Sequence, residues 1–400
     1  MTKCNEHIKK LSQNYEEKQK IYLKNNKNSN KLFNLLIKFI KQNKLILYGG
    51  TAINIYLPDN KKFYNDIDIP DYDLFTDDAI KIGKKLIDLI SKHNFKYVQM
   101  RQSLFNIKTF KIFVENIPLC DITEVSNIDY NLYLSTSNKI QNLNILNQHV
   151  LIYSMLLELS QPNLSYYRWE KVYNRYTIFN KIYGFNNLNK IHKINNKIDN
   201  KIDNKYLYIL NDLLLIIKNN KYPLMNLNAI NLLNNNNLLN FYHKLIPYIT
   251  IFALNPKFII DYCSKIININ IIQNEDNIFI YLDDIFLIDI IIANNTCISI
   301  CSYKQYNIGT LFSIKFYLYK YLIYNNYNDD INNFFKYFIY LNNKLIKKSK
   351  CNNNCLMNIE CYGNINSTLW EIRKQKWNIP PIKFKPKKTN NNIKTPINNI

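Results

Sequence analysis

Asp71-Tyr72-Asp73-Leu74 sets two carboxylates two residues apart in an otherwise apolar run. In an extended strand, residues two apart point to one face, so both acids project toward one spot. Like charges held that close are costly unless a cation neutralises them, and divalent ions with oxygen ligands do this. Cys120-Asp121-Ile122-Thr123 supplies a third strand acid after two intervening strand segments. Upstream, Gly49-Gly50 separates the apolar run Leu45-Ile46-Leu47-Tyr48 from a helical segment. The chain holds only 6 glycines, so an adjacent pair marks a backbone position that tolerates no side chain. A turn feeding a helix N-terminus also offers free N–H groups and the positive dipole end, which suits a triphosphate. Taken by itself, the pair is better explained as an ordinary tight turn, and either acid alone as a solvated strand end. In this order and number, however, the parts are those of two-metal nucleotidyl transfer.

Asp66-Ile67-Asp68-Ile69 has the same alternation and lies nearer the glycines. Pro70 follows at once and would interrupt the ladder of a central strand. Asp71 to Phe75 runs on unbroken, so Asp71 and Asp73 are preferred and Asp66 and Asp68 stay as the alternative pair.

These residues need elements to hold them. Residues 5–43 read as helices, with Leu32, Phe33, Leu35, Leu36, Phe39 and Ile40 at helical spacing. Leu45–Tyr48 reads as a strand, and Thr51 as the cap of a helix from Ala52 to Leu57. Asp71–Phe75 reads as a strand leading to a helix that Thr76 caps, with Asp77 and Asp78 in its first turn. Tyr97–Met100, Phe110–Val114 and Leu119–Val125 complete a mixed α/β set, and Val150–Tyr183 is helical again. The divisions expected are N-terminal helices at 1–40, a catalytic domain at 41–135 and a helical segment at 136–186. A linker at 187–205, a second non-catalytic domain at 206–345 and a basic, partly disordered tail at 346–400 follow.

A net charge of +22 points to a polyanionic partner such as RNA, although a Lys-, Asn- and Ile-rich composition inflates it. With 47% hydrophobic residues the chain can bury real cores. The opening MTKCNEHIKK has no apolar signal region, and the sequence reads as soluble and intracellular with no membrane partner. The eight cysteines are scattered, as in a reducing compartment. Cys351, Cys355 and Cys361 lack the spacing and the histidine of a zinc site, and read as free thiols.

The stretches LYGGTAINIYLP, IPDYDLFT and TFKIFVENIPLCDIT resemble the catalytic domain of viral poly(A) polymerases of the giant-virus and poxvirus type. That family belongs to the polymerase-β nucleotidyltransferase superfamily, marked by a Gly-Gly or Gly-Ser turn, a DxD strand and a later single Asp. The resemblance implies an α/β (α+β) fold: a nucleotidyltransferase mixed-sheet domain flanked by helices, and a second, degenerate nucleotidyltransferase-like domain. It implies a template-independent polynucleotide adenylyltransferase that adds AMP from ATP to mRNA 3′ ends. Asp71, Asp73 and Asp121 would hold Mg²⁺ or Mn²⁺, while Gly49, Gly50 and Thr51 meet the nucleotide. A homodimer or a processivity subunit, and residence in host cytoplasm and virion, belong to the same expectation. Uridylyl or CCA addition, or a non-catalytic RNA-binding scaffold, are the competing readings.

Other residues carry weaker signals. Arg168, Lys171 and Arg175 share a helix face and suit a triphosphate or an RNA backbone, Lys171 and Arg175 being the nucleotide-binding candidates; a solvated basic face has the same pattern. Trp169 and Tyr173 read as core, and His93, His149 and His243 as structural or exposed. KFKPKK in the tail suits an electrostatic arm. Finally, Leu47–Asn54 can be laid over a segment around Met225 that ends Ala229-Ile230-Asn231. Asn226 and Leu227 then replace the glycines, no DxD follows, and Asp283-Asp284 are adjacent and so face opposite sides of a strand.

Overall fold

A computed structural model describes residues 2–64, 68, 70–103, 106, 108–186, 204–234, 247–274, 276–293, 297–324, 329–348 and 356–363. Residues 187–203 of the linker expected at 187–205, the tail beyond 363, Asp66 and His243 lie outside these residues. Two compact units emerge: one takes in the chain to Thr51 and Tyr64–Ile145, the other Ala52–Phe63 and the described chain from Leu146.

The first unit opens with α1 (Thr2–Asn25) and α2 (Lys27–Gln42), the latter capped by Asn26, whose side chain accepts from Asn28 and Ser29 N–H groups. Leu32, Leu36, Phe39 and Ile40 form the buried face of α2. Strand β1 (Ile46–Tyr48) turns directly into α3 (Gly49–Tyr56), within which the division between units falls. Then come β2 (Tyr72–Thr76), α4 (Ala79–Lys92), β3 (Val98–Gln102), β4 (Thr109–Val114) and β5 (Ile117–Glu124). The N-cap of α4 is Asp78, which accepts from Lys81 N–H, while Thr76 is the last residue of β2. This corrects the expected Thr76 cap; a carboxylate nearer the helix satisfies the orphan donor.

After α5 (Asn127–Thr136), the hairpin β6 (Asn138–Ile140) and β7 (Leu143–Ile145) adds two strands inside a stretch expected to be helical. The sheet order is β3-β4-β5-β2-β1-β7-β6, so β2 sits between β1 and β5 at its centre. The sheet therefore extends past residue 135, the expected boundary. Three-residue strands leave too little alternation to be read as such.

The second unit begins with α6 (Gln148–Ser160), α7 (Pro162–Ser165) and α8 (Trp169–Tyr183). It continues with α9 (Asn204–Asn219), α10 (Asn226–Leu233), β8 (Ile249–Ala253), α11 (Lys257–Cys263), β9 (Ile269–Gln273), β10 (Asn277–Leu282) and β11 (Ile285–Ile292). The hairpin β12 (Cys297–Tyr303) and β13 (Tyr306–Gly309), then α12 (Leu311–Tyr324), α13 (Asp329–Lys348) and β14 (Cys361–Gly363), complete it. Lys315 is wholly buried; its ammonium donates to Tyr176, Asn343 and, at 2.9 Å, Asn180, which ties α8, α12 and α13 together.

The second unit repeats the first unit's topology in large part. Its sheet order β8-β11-β10-β9 matches β2-β5-β4-β3. Leu224 bridges β8 at Ile251 and β13 at Ile308, as Leu47 pairs with Leu74 on β2 and Ile145 on β7. Turn residues agree as well: Glu115 and Asn116 join β4 to β5, and Asp283 and Asp284 join β10 to β11, all four at positive φ. Two-residue turns with both φ positive match the strand twist, and Asn and Asp tolerate them. Asp283 and Asp284 thus form a turn, which corrects their placement in a strand.

Cys297 and Cys361 are joined by a disulfide that links β12 to β14, with Cα atoms 5.4 Å apart. Cys361 was expected as a free thiol; the ladder between these strands brings the two residues together instead. Cys120 and Cys263 are buried and free, and Cys301 is buried. Among the described residues, no helix is long and apolar enough to cross a membrane.

Candidate active site

Everything central to the site follows from the register of five strands. In β1 and β2, Tyr48 lies opposite Asp73; in the parallel pair β2 and β5, Asp73 lies opposite Asp121. In β4, Lys111 lies opposite Asp121, and in β3 Arg101 lies opposite Lys111. One row across the sheet therefore reads Tyr48, Asp73, Asp121, Lys111, Arg101, all on one face. Tyr72, Leu74 and Thr76 point the other way and are buried, which fixes the strand's facing.

Asp71 precedes β2 and is exposed, two residues before Asp73 and so on its side. Its carbonyl accepts a 2.6 Å hydrogen bond from Thr51 Oγ1. Thr51 is buried in the first turn of α3, which begins at Gly49 and not at Ala52. The threonine thus pins the entrance of the acidic strand and does not cap the helix. Gly49 has φ +69°, and a Cβ placed on it would lie 2.0 Å from Asp73 Oδ2 and 2.8 Å from its Cγ. The glycine turn and the acidic strand are pressed together. Tyr48 stacks on Phe75 at 3.7 Å and bonds Thr123 at 2.8 Å, which braces β1, β2 and β5 beside the acids on the same face.

Electrostatically the acids form one cluster. Burial raises the Asp121 carboxyl above its ordinary value and Asp71 raises it further, while Lys111 opposes both. Burial pushes the neighbouring Cys120 thiol well up, with Asp121, Asp71 and Asp73 adding to the effect. Lys111 Nζ rests directly on Asp121 Oδ2. Among the described residues, no three His, Cys, Asp or Glu side chains stand in ligating geometry. Asp121 is turned toward the ammonium, which supplies the positive charge there. The donor set nonetheless suits hard cations: three carboxylates, no sulfur or imidazole, and a like-charge crowd that a cation relieves.

Of the alternative acids, Asp68 pairs with Lys20 on α1 at 2.7 Å. The structure therefore brings Gly49, Thr51, Asp71, Asp73 and Asp121 together within the first unit, with Gly50 next in the helix. Lys171 and Arg175 belong to the second unit, where Arg168 pairs with Glu158 at 3.3 Å and Arg175 lies over Phe63 at 4.5 Å. Burial raises the Glu158 carboxyl, and Arg168, Arg175 and Lys171 counter it, so these bases share an internal anion. Trp169 donates to the Glu158 carbonyl at 2.9 Å, and Tyr173 packs edge-on against Phe312. Half-buried His149 is stacked on Phe185 and desolvation lowers its pKa to about 4, while His93 meets the Leu89 carbonyl.

The second unit shows the same frame without the acid pair of β2. Asn226, at φ +46°, takes the place of Gly49, and Asn228 bonds the Tyr248 carbonyl at 2.7 Å as Thr51 bonds that of Asp71. Tyr248 and Thr250 occupy the positions of Asp71 and Asp73. Thr250 lies opposite Asp289 as Asp73 lies opposite Asp121. Asp289 is thus the surviving third acid, which no spacing in the sequence singled out. It is wholly buried; Asn277 donates to Oδ1 at 2.7 Å, and Oδ2 has no partner among the described residues.

Burial raises the Asp289 carboxyl to about 7, against the pull of Asn277 and Lys320. Its folded pKa lies above that of an unfolded chain, so its stabilising contribution is full below about pH 4 and is lost as pH rises toward 7. Between pH 5 and pH 8 the native protein should lose about 2–3 kcal/mol relative to Asp289→Asn. Urea unfolding of both proteins at the two pH values measures this, and a pH-independent difference would refute it.

Residues 34–165 match the family described as the poly(A) polymerase catalytic subunit. Among solved structures, the Megavirus polyadenylate synthase is similar, with TM-score 0.72 at 17% sequence identity, covering 94% of this chain and 82% of that one. The likeness extends the shared fold over both units. No curated protein matches by sequence.

Proposed function

We propose, from residues 34–165 as a poly(A) polymerase catalytic domain, that this chain is an enzyme that adds AMP from ATP to RNA 3′ ends without a template. One observation carries the reading at residue level: Asp73 lies in register with Asp121 while Gly49 is pressed onto Asp73.

The family generally uses divalent metals. Mg²⁺ or Mn²⁺ held by Asp71, Asp73 and Asp121 would activate the 3′ oxygen and offset charge on the reacting phosphate. The chain's own residues do the rest. The first turn of α3 offers N–H groups without intrahelical partners, and Gly49 leaves the backbone bare for the phosphates. Thr51 holds the Asp71 carbonyl and so keeps that carboxylate beside Asp73. Messenger RNA is the substrate, host cytoplasm and virion the setting, and a homodimer or a processivity subunit the assembly.

The test is primer extension with one nucleotide at a time, over a salt series, with Mg²⁺ or Mn²⁺. ATP should give long homopolymeric tails, and primer affinity should fall with salt by a slope of about −0.7 for each phosphate neutralised. Equal use of UTP would indicate a uridylyltransferase, and a stop after a short fixed addition would indicate CCA addition. Salt-dependent RNA binding with no extension under either metal would leave a scaffold.

A further inference from the structure

The ammonium of Lys111 stands where the acid cluster needs a positive charge. Strand β4 sets the residue opposite Asp121, a spacing at which facing side chains interact directly. Its Nζ rests on Asp121 Oδ2, with the two side chains 42% and 19% exposed. The contact thus lies at the surface end of the cluster, open to ions from solvent. A pair this exposed is worth about 1 kcal/mol or less, so a stronger cation can displace it.

We propose that Lys111 is a resident counter-cation: it neutralises Asp121 in the metal-free chain, and a divalent ion must displace it to reach that carboxylate. The inference rests on the reading of Asp121 as a metal ligand. It makes Lys111 a positioning residue, which holds the acid aligned in the sheet row until the metal arrives. It also separates Lys111 from Arg101, the next residue in the row, which bonds Gln99 and stacks on Phe113. Removing Lys111 should expose Asp121 to the metal; removing Arg101 should not.

The experiment is Mn²⁺ binding to the full-length chain without ATP or RNA, with free ion read by electron paramagnetic resonance. Lys111→Met should tighten the Kd by about two- to fivefold, the range that an exposed pair can withhold. Lys111→Arg should restore the wild-type value, and Arg101→Gln should leave it unchanged. Without metal, Lys111→Met should melt below wild type, and saturating Mn²⁺ should bring the two together. Lys111→Gln replaces the Met variant if that fails to fold. Unchanged or weaker binding in the neutral variants overturns the proposal, as does equal tightening by Arg101→Gln. Asp121→Asn separates the two levels: if it leaves Mn²⁺ affinity intact, the metal reading itself fails. If Asp121→Asn weakens binding while Lys111→Met changes nothing, only the counter-cation role fails.

Discussion

Gly49→Ala should abolish primer extension while leaving the protein folded. The added methyl carbon would lie 2.0 Å from Asp73 Oδ2, closer than any real contact, and 2.8 Å from Cγ. Either the carboxylate swings away or the start of α3 shifts, and both separate the phosphate-binding turn from the acid. A displacement near 1 Å costs about a hundredfold in rate, and this clash demands more, so a loss of at least about a thousandfold is expected. The backbone conformation adds a cost of about 1–2 kcal/mol, too little to unfold a well-buried sheet. Single-turnover extension together with a melting curve checks both halves. An alanine variant of near-normal rate would show that the contact between turn and acid is dispensable.

Asp73→Asn should be as damaging, by a different route. The amide keeps the shape and the glycine contact but removes the charge that a divalent ion needs. Metal clamping of a reacting phosphate is worth several kcal/mol, so extension should fall by about a thousandfold or more. RNA affinity, set by basic groups elsewhere, should stay within about twofold. Asp68→Ala gives the contrast: it removes the Lys20 pair, exposed on the lysine side, and should alter extension by less than about threefold. The paired measurement is extension rate beside primer binding for each variant. If Asp68→Ala abolishes extension and Asp73→Asn does not, the acids have been assigned to the wrong strand.

Much of the site was legible because strand periodicity is strict. The spacing of Asp71 and Asp73 fixed a shared side, and Pro70 identified where the ladder begins. Asp121 was legible as an acid embedded in an apolar run. Lys111 was not, because register across an antiparallel pair depends on the turn at Glu115 and Asn116, which carries no glycine to announce it. Asp289 escaped for the same reason, hidden in a run of isoleucines whose facing only the Asp283–Asp284 turn sets. The hairpin at Asn138–Ile145 was missed because its strands are three residues each. Thr76 and Thr51 were both read as caps, since a hydroxyl before a helix is ambiguous until its acceptor is seen.

The repeated turn separates two demands that fall on one position. Asn226 keeps the left-handed conformation of Gly49 without being a glycine, so the geometry of strand feeding helix does not by itself require one. What differs is the opposite strand, where Thr250 stands in place of Asp73. The second unit thus offers an internal comparison for the turn of the first. Where the carboxylate has gone, a side chain has returned to the turn; where it remains, the turn stays bare. The bareness of Gly49 therefore answers to the acid opposite it more than to the turn itself, and the two halves differ at both positions together.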